Sequence, residues 1–152
     1  MPSQSPQTPL AVFVYGTLQP GEHYYQVLNL APWVELATPA QVRGQLYALP
    51  AGYPALTEGK DWVSGVLLRF RSAALLPRLD DLEGYVPDRD RSLNLYERCW
   101  ETIYDQMGQP LEEAWLYRMA IAEVTRQRGI EVPSGHWTAA VQAELWGPRV
   151  EH

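Results

Sequence analysis

Leu10-Ala11-Val12-Phe13-Val14-Tyr15-Gly16-Thr17-Leu18 is a run of apolar, β-branched and aromatic residues that stops abruptly at a glycine. That pattern predicts a buried strand running into a turn, with a place for chemistry where the strand ends. Further along, Pro20-Gly21 breaks the chain, and His23–Leu28 reads as a short helix before Pro32. Three strand-like stretches follow, Val34–Ala37, Ala40–Ala48 and Trp62–Phe70, punctuated by Pro50, Gly52 and Pro54. Ile103–Asp105 and Ala114–Tyr117 read as hairpin arms flanking Met107-Gly108-Gln109-Pro110. Two helices are expected: Ser72–Glu83, with Ser72 as N-cap, and His136–Leu145, ending before Gly147-Pro148. Strands and helices are interspersed without regular βαβ alternation, so the expected class is α+β with a mostly antiparallel sheet.

A chain of 152 residues suits one cored domain, expected over residues 10–147. Residues 1–9 are polar and Pro-rich and read as a disordered lead, and 148–152 as a tail. The lead lacks the basic start and apolar segment of a secretory signal, and no apolar run reaches the roughly 18 residues of a bilayer span. A cytoplasmic protein that does not engage the membrane is the expectation. A net charge of −6 with scattered arginines lacks the basic footprint of a nucleic-acid binder, so no nucleic-acid partner is expected. Cys99 is the only cysteine, which removes intrachain disulfides and Cys-based zinc sites. His23 and His136 lack companions at ligand spacing, so no metal is expected. The six tryptophans read by default as core residues, and Asp88-Arg89-Asp90-Arg91 as a solvated loop.

The most informative local feature is Leu79-Asp80-Asp81-Leu82-Glu83-Gly84-Tyr85, at the end of the first expected helix. Counting from Leu79 at about 100° per residue, Leu82 lies near 300° and Glu83 near 40°, whereas Asp80 falls near 100° and Asp81 near 200°. Of the three acids, Glu83 is nearest the apolar face. Burial and the negative helix end would both disfavour its charged form, raising its pKa from about 4.3 toward roughly 6–7, a range suited to proton transfer at neutral pH. The other reading is an ordinary C-terminal-turn residue, exposed or paired with an arginine such as Arg98.

Tyr15-Gly16-Thr17-Leu18 at a strand end, then Leu-Asp-x-x-Glu-Gly-Tyr at a helix end, then Tyr96-Glu97-Arg98, resembles the γ-glutamylcyclotransferase-like family in the order and approximate spacing of all three elements. Tyr53-Pro54-Ala55-Leu56 and Ser134-Gly135-His136-Trp137 match more loosely, and the likeness runs from about Val12 to Leu145. The resemblance implies a small, mostly antiparallel β-barrel with flanking helices. It also implies a reaction in which the α-amine of a small γ-glutamyl substrate attacks its own γ-carbonyl, giving 5-oxoproline and a free amine. No cofactor is implied, and no nucleophilic side chain either, because the substrate carries its own nucleophile. Glu83 would then be the catalytic acid/base. Tyr15, Gly16, Thr17 and Leu18 would hold the substrate through backbone N–H groups, with Gly16 allowing close approach. Tyr96 would hydrogen-bond the substrate, while Tyr117 is either a further substrate contact or core. The segment Val86–Leu95 separates this chain from the shortest family members and is either a lid, a selector of the leaving group or a plain solvated loop.

Two readings from other classes stay open: a non-catalytic module that binds a carboxylated metabolite or a partner protein in the same pocket, and an amide hydrolase in which Glu83 activates water. The sequence carries no signal for the oligomeric state or for the identity of the leaving amine.

Overall fold

The computed structural model describes residues 9–90 and 93–147. All but Pro9 of the expected N-terminal lead, and the whole of the expected tail, lie outside those residues. In chain order the elements are β1 (Leu10–Val14), α1 (His23–Val27), β2 (Val34–Ala48), β3 (Pro54–Phe70), α2 (Leu76–Leu82), β4 (Glu97–Tyr104), β5 (Pro110–Arg118), α3 (Ile121–Arg126), β6 (Ile130–Glu131) and α4 (Ala139–Trp146).

The strands form one sheet in the order β3-β1-β5-β4-β2-β6, and β2 also pairs with β3. Five strands therefore close into a ring, with β6 attached to the end of β2. Every pairing is antiparallel except β1 with β5, which run parallel at Val12 and Trp115. The ring closes between β4 and β2 at the single pair Tyr104 and Gln41, and β1, enclosed by β3 and β5, is buried along its whole length. That is why its sequence is continuously apolar rather than alternating.

Alternation nevertheless decides what each side chain meets. Phe13 and Tyr15 of the first segment join Val42, Leu46, Leu56, Ile103 and Leu116 in a cluster made almost wholly of strand residues, the filling of the ring. Leu10, Val12 and Val14 face the other way, toward Leu30, Leu79 and Val124, where the helices pack on the outside. At roughly 1.5–3 kcal/mol for each large apolar side chain buried, these two layers supply the main drive for folding.

The structure departs from expectation mostly in element length. β2 is one strand of 15 residues rather than two, because Pro39 keeps its place opposite Val66 while β4 meets β2 at Gln41, leaving room for a residue with no N–H to donate. β3 begins at Pro54 instead of Trp62, continuing through a register shift that opposes Gly44 to Asp61 but Gln45 to Thr57. Ser72 does cap its helix, accepting from the Ala74 N–H at 3.1 Å, but the first turn, Ala73–Leu75, is 3₁₀. The last helix starts at Ala139, not His136: Thr138 is the cap, accepting from the Val141 N–H at 3.1 Å. α3 and β6 are additions to the sequence reading. Among the described residues no helix is long and apolar enough to cross a membrane.

Candidate functional site

The loop after β1 is built around its carbonyls. The carbonyl of Gly16 accepts from the Gln19 N–H at 3.0 Å, and that of Thr17 accepts from the N–H groups of Tyr24 and Tyr25 at 2.9 and 3.1 Å, tying the loop to the start of α1. The N–H groups of Gly16, Thr17 and Leu18 donate no hydrogen bond among the described residues. Gly16 and Leu18 are buried, so these donors stand ready for a partner that the described residues do not provide. A Cβ on Gly16 would lie 2.6 Å from Pro54 Cγ. Glycine is thus required here by the packing of the Pro54 ring, a reason additional to the expected approach of substrate.

α2 delivers the carboxylate. Glu83 is its C-cap, and the helix is closed by Gly84 at φ +65°, with the Tyr85 N–H donating to the Asp80 carbonyl at 3.0 Å and the Gly84 N–H to the Asp81 carbonyl at 3.3 Å. This is the paired bonding of a Schellman motif, which a left-handed glycine permits at little cost. Glu83 is thereby held on the final residue before the chain reverses. Its carboxyl is pushed up to about 8, first by burial and second by the Asp80 carboxylate. The shift exceeds the expected 6–7, and its second cause is a neighbouring acid rather than the helix end.

Asp80 corrects the helix count: it is 5% exposed, although its angular position put it away from the apolar face. Partners from distant strands account for this. Tyr117 Oη donates to Asp80 Oδ1 at 2.7 Å, and Arg98 Nη1 donates to Oδ2 at 2.6 Å. The Arg98 guanidinium also lies 4.4 Å from the Trp115 ring centre and 5.1 Å from that of Tyr85. Burial raises the pKa of Asp80, opposed by the Tyr117 hydrogen bond and the Arg98 charge. Arg98, the suggested partner of Glu83, is bound to Asp80 instead.

Tyr15, Gly16, Thr17, Leu18, Glu83, Tyr96 and Tyr117, the residues singled out from sequence, all line one cavity of about 260 Å³. Tyr24, Tyr53, Pro54, Leu82 and Leu95 complete most of the wall and were not singled out as site residues. The hydroxyl protons of the three tyrosines are already committed: Tyr15 donates to the Tyr117 carbonyl at 2.6 Å, Tyr96 to the Pro54 carbonyl at 2.7 Å, and Tyr117 to Asp80. Their oxygens keep acceptor capacity for a substrate N–H but offer no donor. Tyr117 is both core, at 3% exposed, and cavity wall. In the segment after α2, Leu95 reaches the cavity, whereas Val86, Pro87, Asp88 and Asp90 are exposed; Arg89 and the Val86 N–H both bond to Asn94 Oδ1. Among the described residues no three His, Cys, Asp or Glu side chains gather as a metal site would require.

A half-buried carboxyl and a run of backbone donors in one cavity agree with the motif order, and the sequence matches the family described as gamma-glutamyl cyclotransferase, AIG2-like, over residues 12–139. The chain belongs to this family. Curated protein sequences give no match. Solved structures with the same fold include YkqA from Bacillus subtilis, 21% identical, with a TM-score of 0.60 over 86% of this chain; the chain spans only 40% of that protein's length. An AIG2-like protein from Mus musculus is 21% identical, with a TM-score of 0.55 over 73% of this chain and 77% of its own. An Arabidopsis thaliana protein solved in solution is 23% identical, with a TM-score of 0.59 over 96% of this chain and 81% of its own. At such identities the likeness is one of fold, and it places the closed sheet and flanking helices within the γ-glutamyl cyclotransferase, AIG2-like architecture.

Proposed function

We propose that this chain is a γ-glutamyl cyclotransferase that releases 5-oxoproline and a free amine from a small γ-glutamyl amine or γ-glutamyl amino acid. The observation that carries the reading is that Glu83 lines the same cavity as Gly16–Leu18, whose N–H groups donate no hydrogen bond among the described residues. Glu83, ionised, takes a proton from the substrate α-ammonium. The freed nitrogen attacks the γ-carbonyl carbon, forming the ring C–N bond and moving the carbonyl electron pair onto oxygen, where the loop N–H groups stabilise it. As the carbonyl re-forms, the bond to the departing nitrogen breaks and that nitrogen receives the proton held by Glu83. The second proton, shed by the ring nitrogen as it becomes an amide, passes through Glu83 to the released amine, which leaves as an ammonium. Nothing is consumed but the substrate, and Glu83 ends as it began.

The proton moves between matched groups. A carboxyl near 8 and an α-amino group, ordinarily about 8 in peptides, differ little in proton affinity, so neither transfer faces a large uphill step. Holding amine and carbonyl together in one cavity adds the proximity that an intramolecular reaction exploits. Cys99 is no competing nucleophile: burial, then Glu101, pushes its thiol up to about 11, and it does not line the cavity.

Incubation with a panel of γ-glutamyl amines and γ-glutamyl amino acids is expected to yield 5-oxoproline, with kcat/KM climbing as pH rises toward about 8 while Glu83 ionises. Linear glutamate as the product would make the protein an amide hydrolase instead. A compound that raises the melting temperature without being consumed would make it a binding module.

A further inference from the structure

A second cavity, of about 550 Å³, adjoins the first and shares Thr17, Tyr24 and Tyr53 with it. Its far wall is α4, which presents Trp146 from its last turn, with Trp137 just before its cap. Contrary to the expectation that tryptophans fill the core, Trp146 is 36% exposed. Its ring is nonetheless fixed, because the indole N–H donates to the Ala48 carbonyl at 2.9 Å. Trp137 is fixed likewise: its indole N–H donates to Gln142 Oε1 at 2.9 Å, and Gln142 Nε2 donates to the Leu49 carbonyl at 2.7 Å. The near wall carries Tyr24, Tyr53, Glu22 and His23, whose ring lies edge-on to that of Tyr24 at 4.8 Å. The Glu22 carboxylate takes no hydrogen bond or ion pair among the described residues, and no described lysine or arginine lines the cavity.

These features favour one kind of charge. Ring faces attract cations through their quadrupole, an unpartnered carboxylate attracts them by Coulomb force, and a carboxylated group entering the cavity would meet Glu22 with no lysine or arginine on the described wall to offset the repulsion, His23 being the one basic side chain there. A substrate whose γ-carbonyl sits over the first cavity must extend the far side of its scissile bond somewhere, and the adjoining space across Thr17, Tyr24 and Tyr53 is large enough for a sizeable group. Resting on the reading of the first cavity as the γ-glutamyl site, we propose that the second cavity is the leaving-group subsite, and that it selects γ-glutamyl amines whose departing amine carries a second, cationic group over those carrying a carboxylate.

Three γ-glutamyl amides of matched length test this at low salt: mono-γ-glutamyl-1,5-diaminopentane, γ-glutamyl-n-hexylamide and γ-glutamyl-6-aminohexanoate, ending in ammonium, methyl and carboxylate. The expected kcat/KM for 5-oxoproline release is about tenfold higher for the ammonium than for the methyl compound, with the carboxylate lowest. Glu22→Gln is expected to bring the ammonium-to-methyl ratio down to within about twofold. Binding of free 1,5-diaminopentane, followed by tryptophan fluorescence and compared with hexanoate, gives a readout that does not depend on turnover. Release of 5-oxoproline at equal rates from all three would overturn the subsite and leave the cyclotransferase reading standing. No release from any of them, with Glu22-dependent diamine binding intact, would overturn the cyclotransferase reading and leave the cation site. A diamine that binds no better than hexanoate, or binds equally to the Glu22→Gln protein, would overturn the cation site.

Discussion

Glu83→Gln is expected to lower 5-oxoproline release by about 10²–10⁴-fold while leaving the fold intact. Glutamine matches the side chain in shape and resembles the protonated acid, which near neutral pH is the resting state of a carboxyl with a pKa of about 8. What it cannot do is accept the ammonium proton and return it to the departing amine. The backbone donors of Gly16–Leu18 and the cavity remain, so proximity and carbonyl polarisation survive, and the loss corresponds to about 3–5 kcal/mol of barrier. Initial rates on the best compound of the panel, with circular dichroism to certify the fold, measure it. A loss of less than tenfold would remove Glu83 from the proton-transfer role.

The same substitution is expected to change stability in a direction that a surface carboxylate would not. Burial, and then the Asp80 carboxylate, push the Glu83 carboxyl up to about 8 in the folded protein from an ordinary 4.5. A group whose pKa is raised on folding contributes stability that is fully present below about 4.5 and is lost as pH climbs from there to about 8. At pH 7 the parent protein has given up about 3 kcal/mol on this account, from 2.5 pH units at about 1.36 kcal/mol each. Glutamine has no proton to lose. The stability of Glu83→Gln relative to the parent should therefore improve by about 3 kcal/mol between pH 4.5 and pH 7, as read from urea unfolding at both values, with Asp80 and the other carboxyls present in both proteins. A constant difference across that range would mean that the carboxyl is solvated. The expected pattern is a trade of stability for chemistry, in which a costly half-buried acid is retained for what it does.

Local signals in the sequence reach far into this site. The apolar run Leu10–Tyr15 ending at Gly16 marks a strand delivering a loop, the Ser72 cap marks the approach to α2, and Leu82-Glu83-Gly84 marks both the helix end and the carboxyl held there. Each of these depends on residues within a few positions of one another, where periodicity, capping and turn chemistry act. Asp80 escapes such reasoning because its burial is made possible by Arg98 and Tyr117, which lie 18 and 37 residues away and reach it only once β4 and β5 are in place. The tyrosine hydroxyls escape it for the same reason: the commitment of Tyr96 to the Pro54 carbonyl is a tertiary fact. The length of β2 was hidden by Pro39, whose strand-breaking tendency is overridden by its position opposite β3. α3 and β6 are too short for a periodic pattern to form. The wall that Trp146 and Glu22 form together joins residues more than a hundred positions apart, so no local signal could have announced it.

The protonation of Glu83 tests the account most directly. Carboxyl ¹³C NMR of the glutamate-labelled protein, with Glu83→Gln used to assign the resonance, should show this side chain titrating near 8. Titration close to the ordinary 4.5 would mean a carboxylate open to water, and with it neither the proton relay nor the stability cost described above could stand.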